Sequence, residues 1–479
     1  MTAFLLNLLA LDKGLSSDAD YKQLFRQLQQ AIIRGDLKGG TRLPATRELA
    51  RNLGIARNTV KTAYEMLIAE GYVESRVGAG SFVVELPAQL LRKPEQDAQK
   101  RSVEINVSRF AEQFRGLSPL NPGQRRALQP AIPALDQFPL NRWKSCLGKA
   151  ASRGELAAVA PAGDIRLRQQ ISRYLLKERA IDVSEEQILI TSGSQQGAFM
   201  VAQLLTNSGD TVLVETPGFP GTAGVFKTVG CKVDTIDFEA DQQLPSAKLI
   251  SLTPSRNFPL GHTLSLEKRL EVIRWAEENN SWILEDDYDS EFASGRPVSS
   301  LFSVCESARV IYTGTFSRSM FPALRLGYIV LPITLTALFT QARRYMDGGL
   351  SHVAQIAMAE FMQQSYFYRH LKKMRELYQQ RRDLMLKVIA KSELSGLPLL
   401  GAEGGMHLVL GLPESIDEKQ LVTRLSAENM GVRALSTYDL GPGNLNGLVI
   451  GFCAESGEAI EQGISIISHH YKTLRENLQ

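Results

Sequence analysis

The chain alternates between two hydrophobic periodicities. From Tyr21 to Arg34, Leu24, Leu28, Ile32 and Ile33 recur at helical spacing, which predicts an amphipathic helix stopped by Gly35 and Gly39-Gly40. Thr46 is placed to cap a short helix running to about Leu53. Gly54 makes a turn, and a second helix begins near Ala56 with Val60, Ala63, Tyr64 and Leu67 on its inner face. Tyr72 to Val84 reads as two short strands around a glycine-rich tip. Two helices joined at a glycine turn, followed by such a ribbon, predict a winged helix-turn-helix.

From about Pro130 the pattern changes. Apolar runs of strand length alternate with helical patterns: Gln187–Thr191, Thr211–Glu215, Leu249–Thr253, Trp282–Asp286 and Arg309–Thr313. This alternation predicts an α/β architecture around a mostly parallel sheet, with ligand-facing residues beyond the carboxyl ends of the strands. Between the two regions, Glu85 to about Gly123 holds four prolines and many charges. Residues 86–124 therefore read as a linker, in which Val103–Val107 is a candidate strand. The expected layout is a winged helix-turn-helix domain over 15–85, this linker, and a large domain over 125–479.

Charge sharpens the division. The 479 residues carry a net charge of +3, yet Tyr21 to Val84 alone carries +5, leaving −2 for everything else. A small basic module on a near-neutral body points to nucleic acid at one end. Arg57, Asn58, Thr59 and Lys61 crowd the start of the second helix, where Arg and Asn can bond base edges and Lys suits phosphate. Four cysteines lie far apart without CxxC spacing, and the six histidines show no metal pattern. The expectation is a reducing cytoplasm with no metal site. No uncharged apolar run is long enough to span a membrane, and the N-terminus lacks the features of a secretory signal.

Leu43 to Val84, with LPATRELA, ARNTVKTAYEMLIAEGYVESR and GAGSFV, resembles the winged helix of GntR-type transcription factors. By that resemblance Arg47, Arg57, Asn58, Thr59 and Lys61 touch double-stranded DNA, and Gly78 lets the wing approach it. Six further motifs follow in order: PAGDIRLR (161–168), TSGSQQG (191–197), ETPGFPG (215–221), TPSRNFPLG (253–261), EDDYDSEF (285–292) and TGTFSRSMFPALRLGY (313–328). Their order and spacing resemble a fold-type I aminotransferase domain. The whole chain therefore resembles a MocR/GabR-type transcriptional regulator, and the resemblance implies a homodimer.

The resemblance implies a pyridoxal phosphate pocket. Ser194 and Gln195, at a strand-to-helix junction, would meet the phosphate together with Thr315 and Arg325. Phe219 would stack on the ring, Asp286 would pair with the pyridinium nitrogen, and Tyr288 would reach the phenolic oxygen. Asp287 is the adjacent alternative to Asp286. Position 318, which in this family is the Schiff-base lysine, is arginine here. A guanidinium stays protonated and offers only donors, so Arg318 can form neither the internal aldimine nor the usual transamination base. Pyridoxal phosphate, if bound, is expected to be non-covalent. The alternative is a pocket that has lost the cofactor, with Arg318 filling the space, paired with Asp286 or holding another anion. Ala158 replaces a family tyrosine, Gly447–Phe452 lacks the family's carboxylate-binding arginine, and Gly221 leaves no basic side chain at the PGFPG segment. The reading is a transcriptional regulator without transaminase activity that senses a small-molecule effector. The competing readings are a working aminotransferase with an N-terminal interaction domain, and a scaffold that binds neither DNA nor ligand.

Overall fold

The computed structural model describes residue 9 and residues 19–87, 107–112, 125–152, 157, 159–240, 243–293, 298–304, 309–441, 443 and 445–477. Its contacts divide the chain into two compact units, residues 1–106 and 107–479.

In the first unit, helix α1 (Asp20–Ile33) buries Leu24 and Leu28 completely. Helix α2 (Thr46–Leu53) ends at Gly54, and α3 (Arg57–Ala69) buries Val60, Ala63, Tyr64 and Leu67, the four inner-face positions expected from their spacing. Strands β1 (Val73–Arg76) and β2 (Gly80–Val83) pair antiparallel. One cap differs from expectation. Thr46 is the first helical residue, Ala45 occupies the cap position without a side-chain bond, and the Thr46 hydroxyl instead accepts from Arg57 Nε at 3.4 Å. The threonine thus serves the adjoining helix rather than its own backbone. Tyr64 Oη donates to the Pro44 carbonyl at 3.0 Å and ties α3 to the segment before α2.

In the second unit, α4 (Leu140–Ala150) and α5 (Ile165–Arg179) precede the sheet. Its elements are β3 (Ile188–Thr191), α6 (Ser194–Leu205), β4 (Thr211–Glu215), α7 (Pro220–Thr228), β5 (Lys232–Ile236), β6 (Leu249–Leu252), α8 (Leu266–Glu278), β7 (Trp282–Asp287), β8 (Val310–Thr315) and β9 (Gly327–Val330). The seven strands run in the order β3-β9-β8-β7-β6-β4-β5. Pairings from β8 through β5 are parallel, while β9 runs antiparallel between β3 and β8. Two antiparallel steps restore direction, so β3 also ends at the carboxyl edge shared by β4, β6, β7 and β8. Buried runs such as ILIT in β3 and VIYTGT in β8 are continuous because helices cover both faces of such a sheet.

After α9 (Ile333–Met346), α10 (His352–Gln363) and α11 (Tyr366–Ile389), a second sheet forms in the order β10 (Leu399–Leu400), β11 (His407–Gly411), β13 (Gly447–Gly451), β12 (Arg433–Ala434). Helices α12 (Glu418–Ala427) and α13 (Gly457–Glu476) complete this part. Gly447–Phe452, noted for its missing arginine, is thus the buried strand β13 and its continuation. The candidate strand 103–107 falls mainly outside the described residues, as does Ala158; within the expected linker a short helical turn spans Arg109–Glu112. Among the described residues no helix is long and apolar enough to cross a membrane, and no His, Cys, Asp and Glu cluster is placed to hold a metal.

The first unit has an apolar core of its own, built around Leu24, Leu28, Leu49, Val60 and Leu67. Leu28→Ala leaves a cavity there and is expected to cost the first unit about 2–5 kcal/mol. Thermal unfolding followed by calorimetry should show that transition moving down while the transition of the body stays in place.

Candidate functional site

Six of the seven strands of the main sheet, all but the edge strand β5, bring residues to one edge. Gly193, Ser194 and Gln195 follow β3; Phe219 follows β4; Thr253 and Phe258 follow β6; Asp286 and Tyr288 close β7; Thr315, Ser317 and Arg318 end β8; Pro322 and Arg325 precede β9. These thirteen residues line one cavity of about 190 Å³. One water needs about 10–15 Å³, so this space takes a larger ligand. All eight ligand-facing residues singled out in the sequence are among them. Thr253, Phe258, Ser317 and Pro322 lie inside the quoted motifs but were not singled out individually.

The wall at Gly193 is made of backbone. Gly193 precedes α6 with φ +95°, a region that side chains rarely adopt. The first N–H groups of α6 have no partner within the helix and face the same end as Ser194. Arg325 lies across this loop, with its guanidinium 3.8 Å from where a Cβ on Gly193 would stand. Its own backbone is left-handed, with φ +48°. The Thr315 hydroxyl donates to Ser317 Oγ at 3.1 Å and accepts from the Ser317 N–H at 3.2 Å. Phosphate-binding chemistry therefore clusters here: helix N–H groups, hydroxyls and a cation.

The opposite wall is aromatic. Phe258 stands edge-on to Phe219 (centroids 6.0 Å apart) and to Tyr288 (5.5 Å). Tyr288 Oη donates to the Asn257 carbonyl at 3.4 Å. Gly221 has a steric reason: a Cβ there would stand 2.4 Å from the Phe219 ring and 2.8 Å from Gln195 Nε2.

Strand alternation separates the neighbouring carboxylates of β7. Asp286 faces the cavity and its Oδ1 is buried without a hydrogen-bond partner. Asp287, the adjacent alternative, faces away; it lies 2.8 Å from Arg179 Nε and accepts from Tyr312 Oη at 2.5 Å. Glu285 accepts the N–H groups of Leu301 and Phe302. Burial, reinforced by Asp287, pushes Asp286 up to about 7, with Arg318 acting in the other direction. Burial likewise pushes Glu285 up to about 7 and Asp289 up to about 6.

Arg318 does not ion-pair with Asp286. Its Nη1 donates to the carbonyl of Ala131, a residue with φ +66° in the segment leading into the body. Desolvation lowers its pKa from the usual guanidinium value, while Asp289, Tyr288 and Asp286 oppose that shift. No lysine lines the cavity among the described residues, and Lys227 and Lys248 sit in α7 and before β6. The orphaned Asp286 oxygen, the hydroxyls, the helix start and Arg325 suit a phosphorylated ring with a basic nitrogen. The donor set lacks a group able to bond an aldehyde covalently.

In the first unit, Arg47, Arg57, Asn58, Lys61 and Gly78 are exposed and Thr59 is half-buried. Arg57, Asn58, Thr59 and Lys61 are four of the first five residues of α3, the fourth position being the buried Val60, and Gly78 lies in the turn between β1 and β2. Lys61 pairs with Glu65 at 3.5 Å, an exposed contact. The helix start and the wing therefore both present their polar groups to solvent.

A pH dependence follows from Asp286. Its raised pKa means that ionisation is disfavoured in the folded state, so its contribution to stability is present at low pH and lost as pH rises through about 7. Asp286→Asn should melt above the parent chain at pH 8. The gap should narrow as pH falls below about 7 and close only near pH 4, where the carboxyl is neutral in the folded and the unfolded chain alike. A melting series from pH 8 down to about pH 4 checks it.

Two family models match the chain. "Bacterial regulatory proteins, gntR family" covers residues 20–83, and "Aminotransferase class I and II" covers residues 131–446. The chain is 32% identical over 478 residues to the probable rhizopine catabolism regulatory protein MocR of Rhizobium meliloti, covering 97% of this chain and 96% of that protein. It is 31% identical over 438 residues to the transcriptional regulator TauR of Rhodobacter capsulatus, covering 85% of this chain and 87% of that one. The body shares its fold with the multiple substrate aminotransferase of Thermococcus profundus: the TM-score is 0.67 at 23% identity, over 78% of this chain and 97% of that one. With a gntR-family module in front of a class I and II aminotransferase domain, and similarity to MocR over 97% of its length, the chain belongs to the MocR-type family of transcriptional regulators.

Proposed function

We propose that this regulator reads double-stranded DNA through residues 15–85, is joined by the linker 86–124, and uses residues 125–479 as a dimerising, effector-sensing body without transaminase activity. The observation that carries the reading is a cavity that keeps a phosphate-and-ring donor set around Arg318 in place of a lysine. A guanidinium cannot lose the proton that a nucleophilic amine must lose, nor shuttle one between substrate carbons.

Ser194, Gln195, the start of α6, Thr315 and Arg325 would hold the phosphate of pyridoxal phosphate. Phe219 would cover the ring, Asp286 would take its nitrogen and Tyr288 its phenolic oxygen. When bound, the group would supply an electron-withdrawing ring and an aldehyde. This chain's residues would orient it, exclude water along the aromatic wall and leave the aldehyde without a covalent anchor. Ligand occupancy would shift the population of arrangements in which two winged helices meet paired half-sites in successive major grooves.

On the DNA side, Arg57 and Asn58 would read base edges while Arg47, Thr59, Lys61 and the wing at Gly78 would set register on the phosphates. Against a duplex enriched from a random-sequence library, Arg57→Ala or Asn58→Ala should cost about 1–3 kcal/mol and relax specificity at the bases contacted. Lys61→Ala should weaken binding to all sequences alike and lower the salt slope by about one. Salt-independent association would favour a scaffold instead.

Incubation with pyridoxal phosphate, borohydride reduction and intact mass should leave the chain unmodified at position 318. Arg318→Lys should acquire one reducible cofactor mass there. Turnover of an amino donor with a keto acid by the unaltered chain would overturn the non-enzymatic reading.

A further inference from the structure

We propose that Arg318 fixes the chemical class of the body's ligand: a phosphorylated aromatic ring whose arm at residue 318 presents an oxygen acceptor, with the amine-bearing counterpart disfavoured. This deepens the preceding reading and rests on it. The oxygen can belong to a hydroxyl, an aldehyde or a carboxylate, because the shared chemistry is acceptance of an N–H donor.

The argument starts from how Arg318 is held. Its Nη1 is committed to the Ala131 carbonyl. Asp289 sits closer to Arg256, whose Nε stands 3.5 Å from it, and Asp286 leaves one buried oxygen unpartnered instead of turning it to Arg318. The remaining guanidinium N–H groups therefore belong to a group that brings donors only and no acceptor. An oxygen arm completes this donor set. A primary amine, protonated at neutral pH, brings further N–H donors and a second positive charge against it.

Charge counting agrees. The cavity places Arg318 and Arg325 together with one carboxylate, Asp286, that is only part-ionised near pH 7. The start of α6 adds positive potential. A dianionic phosphate offsets this surplus, and a neutral or anionic arm keeps it offset. An ammonium restores it inside a half-buried site, where unpaired charge is costly. A lysine at this position could lose its proton and relieve the conflict; an arginine cannot.

The test is calorimetric titration of the full-length chain with pyridoxine 5′-phosphate, pyridoxal 5′-phosphate, pyridoxamine 5′-phosphate and inorganic phosphate. Pyridoxine phosphate and pyridoxal phosphate should bind at least about tenfold more tightly than pyridoxamine phosphate. Arg318→Gln should bring the pyridoxine-to-pyridoxamine ratio below about threefold, since the charge conflict is gone. Arg325→Gln should weaken all three ring phosphates together and leave the ratio in place. If Arg318→Gln does not fold, as judged by circular dichroism, Arg318→Met is compared on the same two aldehyde-free ligands. Equal or tighter binding of pyridoxamine phosphate to the parent chain overturns the inference. So does a ratio that survives in the folded Arg318 variant. Binding of all three rings no better than inorganic phosphate overturns the ring-phosphate reading itself, and this inference with it.

Discussion

A close approach of backbone at the edge of the main sheet underlies the cavity. Gly327, the first residue of β9, pairs with both Thr191 and Thr315. A Cβ on it would stand 2.8 Å from the Gly193 Cα and 2.8 Å from the Gly314 carbonyl oxygen. The absence of a side chain there lets the loop before α6 lie against the end of β8. That contact sets the distance between the helix N–H groups and the hydroxyls of Thr315 and Ser317. A methyl group would force the two walls apart before any ligand chemistry could be considered. The site is thus first a packing result and only then an electrostatic one.

The same economy governs β7. Of three consecutive carboxylates, strand alternation sets Asp286 apart from Glu285 and Asp287, which share the other face. Glu285 receives backbone N–H groups, Asp286 faces open space, and Asp287 closes a buried pair with Arg179. Burial, with the neighbouring Asp287 carboxylate, pushes Glu285 and Asp286 up, and Arg179 and Arg318 respectively act against that shift. Within β7 the unpartnered carboxylate oxygen is therefore the one on the residue that faces the cavity.

The legible parts of the chain were those carried by local periodicity. The helices of the first unit and the strands β3, β4, β6, β7 and β8 show in their 3.6 and continuous apolar patterns, and each of these strands leads to a cavity residue, whereas the edge strand β5, with its alternating pattern, was not foreseen. The antiparallel strand β9 was not foreseen, because LRLGY was absorbed into a motif and a strand of four residues has too little pattern to stand out. The second sheet escaped for a similar reason: β10 and β12 are two residues each and exist through long-range pairing. Thr46 was misplaced by one position since Ser/Thr capping preference is local, whereas its hydroxyl is used by Arg57 on the next helix. Arg318's partner was illegible for the most general reason, as Ala131 lies 187 residues away. The contrast between Asp286 and Asp287 needed only the two-residue period of a strand and the register of β7 against β8.

Arg325 closes a short helical turn with its backbone in the left-handed region, φ +48° and ψ +51°. Holding an ordinary residue in that conformation costs on the order of 1–2 kcal/mol, a penalty from which glycine is exempt. A glycine at 325 would make the same bend with less strain, yet it would leave the α6 loop without a cation. The turn alone therefore does not account for the residue standing in it. What the strain keeps in place is a guanidinium beside the loop that starts α6, which makes position 325 a measure of how much stability this fold gives up to hold a positive charge at that point of the cavity wall.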